Sequence, residues 1–210
     1  MASLQIIFFQ RHVASLLFLF TSLVFCFHSA YAHNEGGEEK KLSVSGTVHW
    51  TGTGIGKSHP GTLNVKSGEI TLRGKDIVSG KFVIDMKSLD TPDGRRLKNH
   101  LKSADFFEVE TYPEASFVIT QAQTLPSPGP NGETHSLTGD LTIKNNKHSI
   151  SFQAKVEKDG ETYKATAETA IEDRTQFGIN YNSGRLLDPV ALGDRLIHDK
   201  IQIRLDLQAK

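Results

Sequence analysis

The sequence predicts an all-β fold, and three observations carry that expectation. Apolar and polar residues alternate strictly over most of the chain, tight-turn pairs separate the alternating runs, and only two stretches break the pattern toward a helix. In chain order, Val44, Gly46, Val48 and Trp50 alternate with Ser43, Ser45, Thr47 and His49. Leu63 and Val65 share odd parity and Ile70 and Leu72 even parity, with Ser67-Gly68 read as a turn between them. Val78, Gly80, Phe82, Ile84 and Met86 form one face of a longer strand, and Phe117 and Ile119 begin the next. Leu137 to Ile143, Ile150 to Val156, Tyr163 to Ile171 and Ile201 to Leu207 alternate cleanly, with Asn145-Asn146 and Asp159-Gly160 as turns. Eight or nine strands result, and a sheet of that size must curl, split into a sandwich or close. Closure has the added merit of removing exposed edges.

The exceptions are short. Leu97, Leu101 and Ala104 are spaced four and three apart, which predicts a helix of about three turns within Pro92 to Phe107. Val190, Leu192, Leu196 and Ile197 predict a short helix or turn within Asp188 to Ile197. Pro126, Pro128, Pro130 and Gly132 mark an exposed loop.

The first 32 residues read as a secretory leader rather than as part of the fold. They carry Arg11 as their one charge, then the apolar stretch Val13 to Phe27, then Ala30 and Ala32 at the −3 and −1 positions of a cleavage site before His33. The stretch is fifteen residues long, short of the roughly 18–20 needed to span hydrocarbon. Cys26 follows Leu23-Val24-Phe25, but the bulk of Phe25 disfavours a lipoprotein anchor. Residues 33–41 contain no apolar side chain and predict a flexible spacer, leaving residues 42–210 as one domain. Loss of the leader removes the only cysteine and six of twelve Phe, and leaves 23 basic against 24 acidic residues. An exported, cysteine-free chain must rest on its core alone. The near-zero charge argues against a nucleic-acid partner.

Candidate chemistry is sparse. Gly52-Thr53-Gly54-Ile55-Gly56-Lys57-Ser58 resembles a phosphate loop, but Thr51 stands where its first glycine belongs, and His59-Pro60-Gly61 follows where a helix should start. It reads as a flexible glycine-rich loop, with no nucleotide partner. The seven histidines from His33 onward show no compact metal-ligand spacing. No nucleophile elbow and no free thiol is present in the mature chain, so no catalytic residue is assigned and the chain is not expected to be an enzyme. His100 and Asp105 are the nearest acid–base pair, but on one helix they would stand about 140° apart.

The inward parity is more informative. Gly46, Gly80, Gly139, Ala154, Ala165 and Ala167 place small residues among large ones. In a barrel near eight strands these either face large neighbours in a solid core or leave room for one ligand, and the pattern leaves both open. An apolar lumen would suit a lipid. At about 0.3 kcal/mol per heavy atom, roughly thirty apolar atoms reach micromolar binding without a polar motif.

His100-Leu101-Lys102-Ser103-Ala104-Asp105-Phe106-Phe107, followed by Tyr112-Pro113-Glu114-Ala115-Ser116-Phe117, resembles the most distinctive stretch of the YceI-like family. Gly80 to Leu89, Leu137 to Ile143, Arg174 to Ile179 and Gly193-Asp194 resemble its other segments in order, over about Ser43 to Leu207. The resemblance implies an eight-stranded antiparallel lipocalin-like barrel with one or two short helices. It also implies a lumen holding an apolar lipid, most simply a polyisoprenoid or isoprenoid quinone, with no other cofactor. Carried onto matching positions, the lipid-binding residues are Phe82, Ile84, Met86, Phe106, Phe107, Phe117, Leu141 and Phe177, and parity adds Trp50 and Phe152. The leader and the resemblance together imply a periplasmic or secreted carrier with transient membrane contact. The alternative is a solid barrel serving as an interaction module of the cell envelope.

Overall fold

The computed structural model describes residues 37–210. Eight antiparallel strands pair each with its sequence neighbour, and the last returns to the first to close a barrel. They are β1 (Glu39–Gly54), β2 (Lys57–Arg73), β3 (Asp76–Asp90), β4 (Glu114–Thr124), β5 (His135–Ile143), β6 (Asn146–Asp159), β7 (Thr162–Ile171) and β8 (Ile197–Ala209). Closure sets Val44 opposite Ala209 and Gly52 opposite Ile201. The leader and the first part of the spacer fall outside the described residues.

Several local expectations are corrected. The spacer does not extend to Lys41, because Glu39, Lys40 and Lys41 already pair with Arg73, Leu72 and Thr71. Charged residues suffice there because the partner strand supplies the backbone hydrogen bonds, and Lys41 lies 3.6 Å from Glu69. Ser67-Gly68 is not a turn but a bulge inside one long strand, where the pairing steps from Val65↔Ile84 to Ser67↔Val83. One extra residue flips parity without reversing the chain, which is why Leu63 and Leu72 both end up inside. A Cβ on Gly68 would sit 2.9 Å from that of Val44. The strand count is therefore eight.

The glycine-rich segment is a tight hairpin rather than a flexible loop: Thr53 pairs with Ser58 and Gly54 with Lys57, leaving Ile55-Gly56 as the turn. Gly56 takes a positive φ of 65° there, and strand rather than helix follows. The β5–β6 turn is Lys144-Asn145, both at positive φ (50° and 61°), one residue earlier than the Asn-Asn pair suggested. The long helix shortens to α1 (Arg95–Lys102), and a second single-turn helix, α2, spans Pro189–Leu192. Ser103 ends α1 early: its N–H and its hydroxyl both donate to the His100 carbonyl, at 3.1 and 2.7 Å.

The connections divide the barrel into two unlike ends. The β2–β3 and β6–β7 turns, the proline-rich loop and the chain's C-terminus lie at one end. The β1–β2 and β5–β6 turns lie at the other, with α1 between β3 and β4 and the segment holding a 3-10 turn (Arg174–Phe177) and α2 between β7 and β8. Two clusters of buried side chains follow this division. One gathers Trp50, Met86, Leu101, Phe106 and Ile179 at the α1 end. The other gathers Leu42, Leu72, Ile77, Leu137 and Ala154 at the far end.

Candidate functional site

Between the clusters the barrel encloses a cavity of about 500 Å³, within the range of small-molecule pockets. The solid-core alternative does not describe this interior. Of the ten residues assigned from sequence, Trp50, Phe82, Ile84, Met86, Phe106, Phe107, Phe117, Leu141 and Phe152 line the cavity. Phe177 does not. It closes the 3-10 turn, where Gly178 in the left-handed conformation turns the chain away, and it packs edge-on against His148 at 5.1 Å, buried in the wall. Ile179 and Tyr181, two and four residues on, line the cavity instead.

The small inward residues split into two kinds. Ala154, Ala165 and Ala167 line the cavity. The glycines are occupied by neighbours. A Cβ on Gly139 would stand 2.4 Å from Phe117 Cζ, so this ring lies across β5 and reaches Phe152 on β6, with centroids 5.6 Å apart. Phe82, paired with Phe117 across β3 and β4, extends the row at 6.3 Å. Gly61 makes the same room for Trp50, whose ring would meet a Cβ at 2.1 Å. Glycines thus let aromatic rings lie flat on the wall, and alanines keep the space in front of them open.

The signature stretch after α1 is a wrapped cap over this end of the barrel. Leu97 and Leu101 point into the cavity from α1. The N–H groups of Phe107 and Val109 return to the carbonyls of Leu101 and Lys102, and Glu108 takes a positive φ of 48°. Phe106 and Phe107 are thereby folded back onto the lumen. Lys144, on the β5–β6 turn, donates to the Phe106 carbonyl at 3.0 Å and to the Gly178 carbonyl at 3.4 Å, tying the cap to the 3-10 turn. The same reversal corrects the reading of His100 and Asp105. α1 ends between them, and His100 Nε2 meets Asp105 Oδ2 at 2.9 Å. The imidazole also stands edge-on to Phe106 and Tyr181.

The exposed lining residues with ionisable side chains gather at this end: Lys57, Asp194, Arg195 and His198. This is the mouth. Its imidazoles are held by neighbours, His59 by Asp93 at 2.6 Å and His198 by Thr53 at 2.9 Å. Behind it lies Arg174, 2% exposed, which donates to the carbonyls of Ile179, Tyr181, Ile197 and His198 at 2.6 to 3.2 Å and pairs with Asp199 at 3.5 Å. Burial lowers its pKa, and Asp199 and Asp173 oppose that shift. One guanidinium with five donors satisfies carbonyls from both ends of the β7–β8 connection, which fixes the rim of the mouth. Sequence parity cannot register Arg174, because its partners are backbone carbonyls, which leave no side-chain pattern.

The family model of the YceI-like domain matches residues 38–209. Among curated relatives, a UPF0312 protein of Photorhabdus laumondii is 36% identical over 85 residues, covering 40% of this chain and 41% of that protein. Protein YceI of Escherichia coli O157:H7 is 32% identical over 98 residues, covering 46% of this chain and 48% of that protein. The chain spans about half the length of the curated relatives it matches. Among solved structures, BcnA of Burkholderia cenocepacia aligns with a TM-score of 0.61 at 22% identity, covering 80% of this chain and 96% of that one. A polyisoprenoid binding domain from Saccharophagus degradans aligns at 0.54 with 13% identity, covering 80% and 98%. At these identities the likeness is one of fold, the closed lipocalin-like barrel.

Proposed function

The chain belongs to the YceI-like family, and from that premise we propose that it is an exported carrier holding one long apolar lipid, a polyisoprenoid or isoprenoid quinone, in its lumen. The cavity carries the reading: about 500 Å³, walled by aromatic and aliphatic side chains, with its exposed charged residues gathered at one mouth. That layout suits a ligand with a long apolar body. Burial is worth about 0.8 kcal/mol per methylene, so such a chain is held without a charged anchor. The polyisoprenoid binding domain of Saccharophagus degradans shares the fold and lends the ligand class. The leader read at residues 1–32 supports a periplasmic or secreted protein cleaved before His33. Transport, storage and sequestration all use the same property, reversible occupancy of the lumen. We read the chain as a binder rather than an enzyme because aromatic and aliphatic side chains dominate the cavity lining.

The test is direct. Protein purified from its own host is extracted with organic solvent, and the extract is analysed by mass spectrometry beside the intact mass. An isoprenoid lipid near one per barrel and a chain beginning at His33 are expected. A barrel repeatedly empty, and unable to take up isoprenoid quinones or polyprenols, overturns the lipid reading. A chain found only in the cytoplasm overturns the export reading, and an exported chain retaining residues 1–32 overturns cleavage before His33.

A further inference from the structure

Four large aliphatic side chains stand out in solvent at the mouth end of the barrel. Ile55 is 46% exposed, Leu186 55%, Leu187 51% and Val190 88%. Burying none of this surface is unfavourable for a monomer in water, and apolar residues concentrated in one place mark an interaction site. The segment that holds three of them is ordered by its own contacts. The N–H groups of Leu186 and Leu187 donate to the Ser183 carbonyl at 3.3 and 3.0 Å, and the Asp188 carboxylate caps the Val190 N–H at 2.9 Å. Leu192 N–H closes the turn onto the Asp188 carbonyl at 3.0 Å. The residues that bracket this stretch, Asn182 on one side and Asp194 to Leu196 on the other, line the cavity. Ile55 joins them through its N–H, which donates to the Leu196 carbonyl at 3.4 Å. The exposed aliphatic side chains therefore sit on the outer side of the segment whose ends form the wall of the mouth.

Charge at this end separates into paired and unpaired groups. Asp90, Glu108, Glu172 and Asp173 are each matched to a lysine or arginine, and Asp93 and Asp105 are hydrogen-bonded to the imidazoles of His59 and His100. Lys57, Arg95, Arg96, Lys102 and Arg195 have no carboxylate within 4.0 Å among the described residues, against Asp188 and Asp194 on the acidic side. α1 contributes three of these cations and no acid, while Leu97 and Leu101 of the same helix point inward.

We infer that this rim docks on an anionic lipid bilayer, with Leu186, Leu187, Val190 and Ile55 entering the interface and Lys57, Arg95, Arg96 and Arg195 meeting anionic headgroups, so that the mouth opens onto the membrane. The inference rests on the lumen being a lipid site. Apolar insertion combined with surface cations is the composition that interfacial binding requires. A lipid leaving the bilayer through such a contact avoids exposing its chain to water.

The mature chain, residues 33–210, is used, which holds the whole barrel Glu39–Ala209 and is free of the apolar leader. Flotation with vesicles of phosphatidylethanolamine and phosphatidylglycerol, and with vesicles of phosphatidylcholine, compares three proteins. These are the wild type, Leu186→Ser/Leu187→Ser/Val190→Ser and Arg95→Glu/Arg96→Glu. Wild type floats with the anionic vesicles at low ionic strength, and less so as salt is raised. The serine variant loses at least about tenfold in partitioning on both vesicle types. The charge-reversed variant loses roughly fivefold or more per cation, on anionic vesicles only. Melting temperature checks folding, and the single change Val190→Ser replaces the triple one should it fail to fold. Wild type that does not float, or a folded serine variant that floats equally, overturns the inference. So does a wild-type dimer in solution that the serine variant abolishes, which would give the patch to a second copy. Solvent extraction keeps the two readings apart: a loaded barrel that ignores vesicles breaks only the docking, and an empty barrel that floats breaks only the lumen reading.

Discussion

The two ends of the barrel are built from the same strands and finished differently. At the far end, two tight turns and the proline-rich loop bring the walls together over a cluster of small and medium aliphatic residues, and His135 closes the seam. It is 4% exposed, with Nε2 donating to the Lys75 carbonyl at 3.1 Å and Nδ1 beside the Thr134 hydroxyl at 2.8 Å. A carbonyl only accepts, so Nε2 carries a proton. At the mouth end, residues 91–113 and 172–196 carry α1, α2 and 3-10 turns; the buried Arg174 guanidinium ties the second segment to the start of β8, and Lys144 ties the first segment to the second. The far end is held by ladder pairing that any alternating sequence can supply. The mouth is held by particular side chains, so its failure modes are concentrated in few residues.

Replacing Arg174 is the strongest way to break that contrast. Arg174→Met leaves the carbonyls of Ile179, Tyr181, Ile197 and His198 without their donor and takes the buried cation from beside Asp199, and a loss of about 3–5 kcal/mol in denaturant melts is expected. Between the ends, Gly139→Val drives a branched side chain into the Phe117 ring and the Val118 carbonyl, 2.4 and 2.5 Å from an added Cβ. Overpacking of this kind costs about 1–3 kcal/mol, and displacement of the aromatic row should appear in the ring resonances of Phe117 and Phe152. At the far end, His135→Leu keeps volume and forfeits hydrogen bonds to a surface turn, so a loss of about 0.5–1.5 kcal/mol is expected from the same melts. A far-end loss equal to that of Arg174→Met would erase the distinction between the ends.

The smallest effect is a pH dependence. Burial raises the Asp173 pKa, but hydrogen bonds from Thr175 and the charges of Arg185 and Arg174 outweigh it and hold the carboxyl below the ordinary range. A depressed folded pKa stabilises above the unfolded value, about 3.9, and that contribution is lost as pH falls through the folded value. The stability gap between wild type and Asp173→Asn should therefore narrow below about pH 4. A gap that widens on acidification would reverse the sign.

This division also explains which parts of the molecule the sequence discloses. Parity placed most of the cavity face, because one side of each strand is wet and the other is not, but it misplaced Val78, which is 43% exposed while Ile77 lines the cavity, since the β2–β3 pairing shifts register between Thr71 and Leu72. It identified Trp50 and Phe152, which no motif marks. It misread Ser67-Gly68, since a bulge and a turn share residue types and differ only in whether the partner strand continues. It also could not tell Gly139 from Ala165, because what matters is whether a neighbouring ring fills the space. The mouth is harder to read for a different reason. Phe177 and Phe106 both belong to signature segments, yet one lies in the wall and the other on the lumen. The pairing of His100 with Asp105 depends on where α1 stops, and Ser103 settles that through a local hydrogen bond that helical periodicity does not contain.

The central claim is that the lumen is open to one apolar ligand, and Trp50 allows it to be measured without a label. It is the only tryptophan in the chain and lines the cavity. Delipidated protein is titrated with an isoprenoid quinone, whose ring quenches indole emission, beside Ala165→Phe, which fills space in front of the wall. The account predicts saturable quenching at one quinone per barrel in the wild type, and affinity at least about tenfold weaker in the variant with its melting temperature kept. Quenching that never saturates, or that is the same in Ala165→Phe, would contradict it.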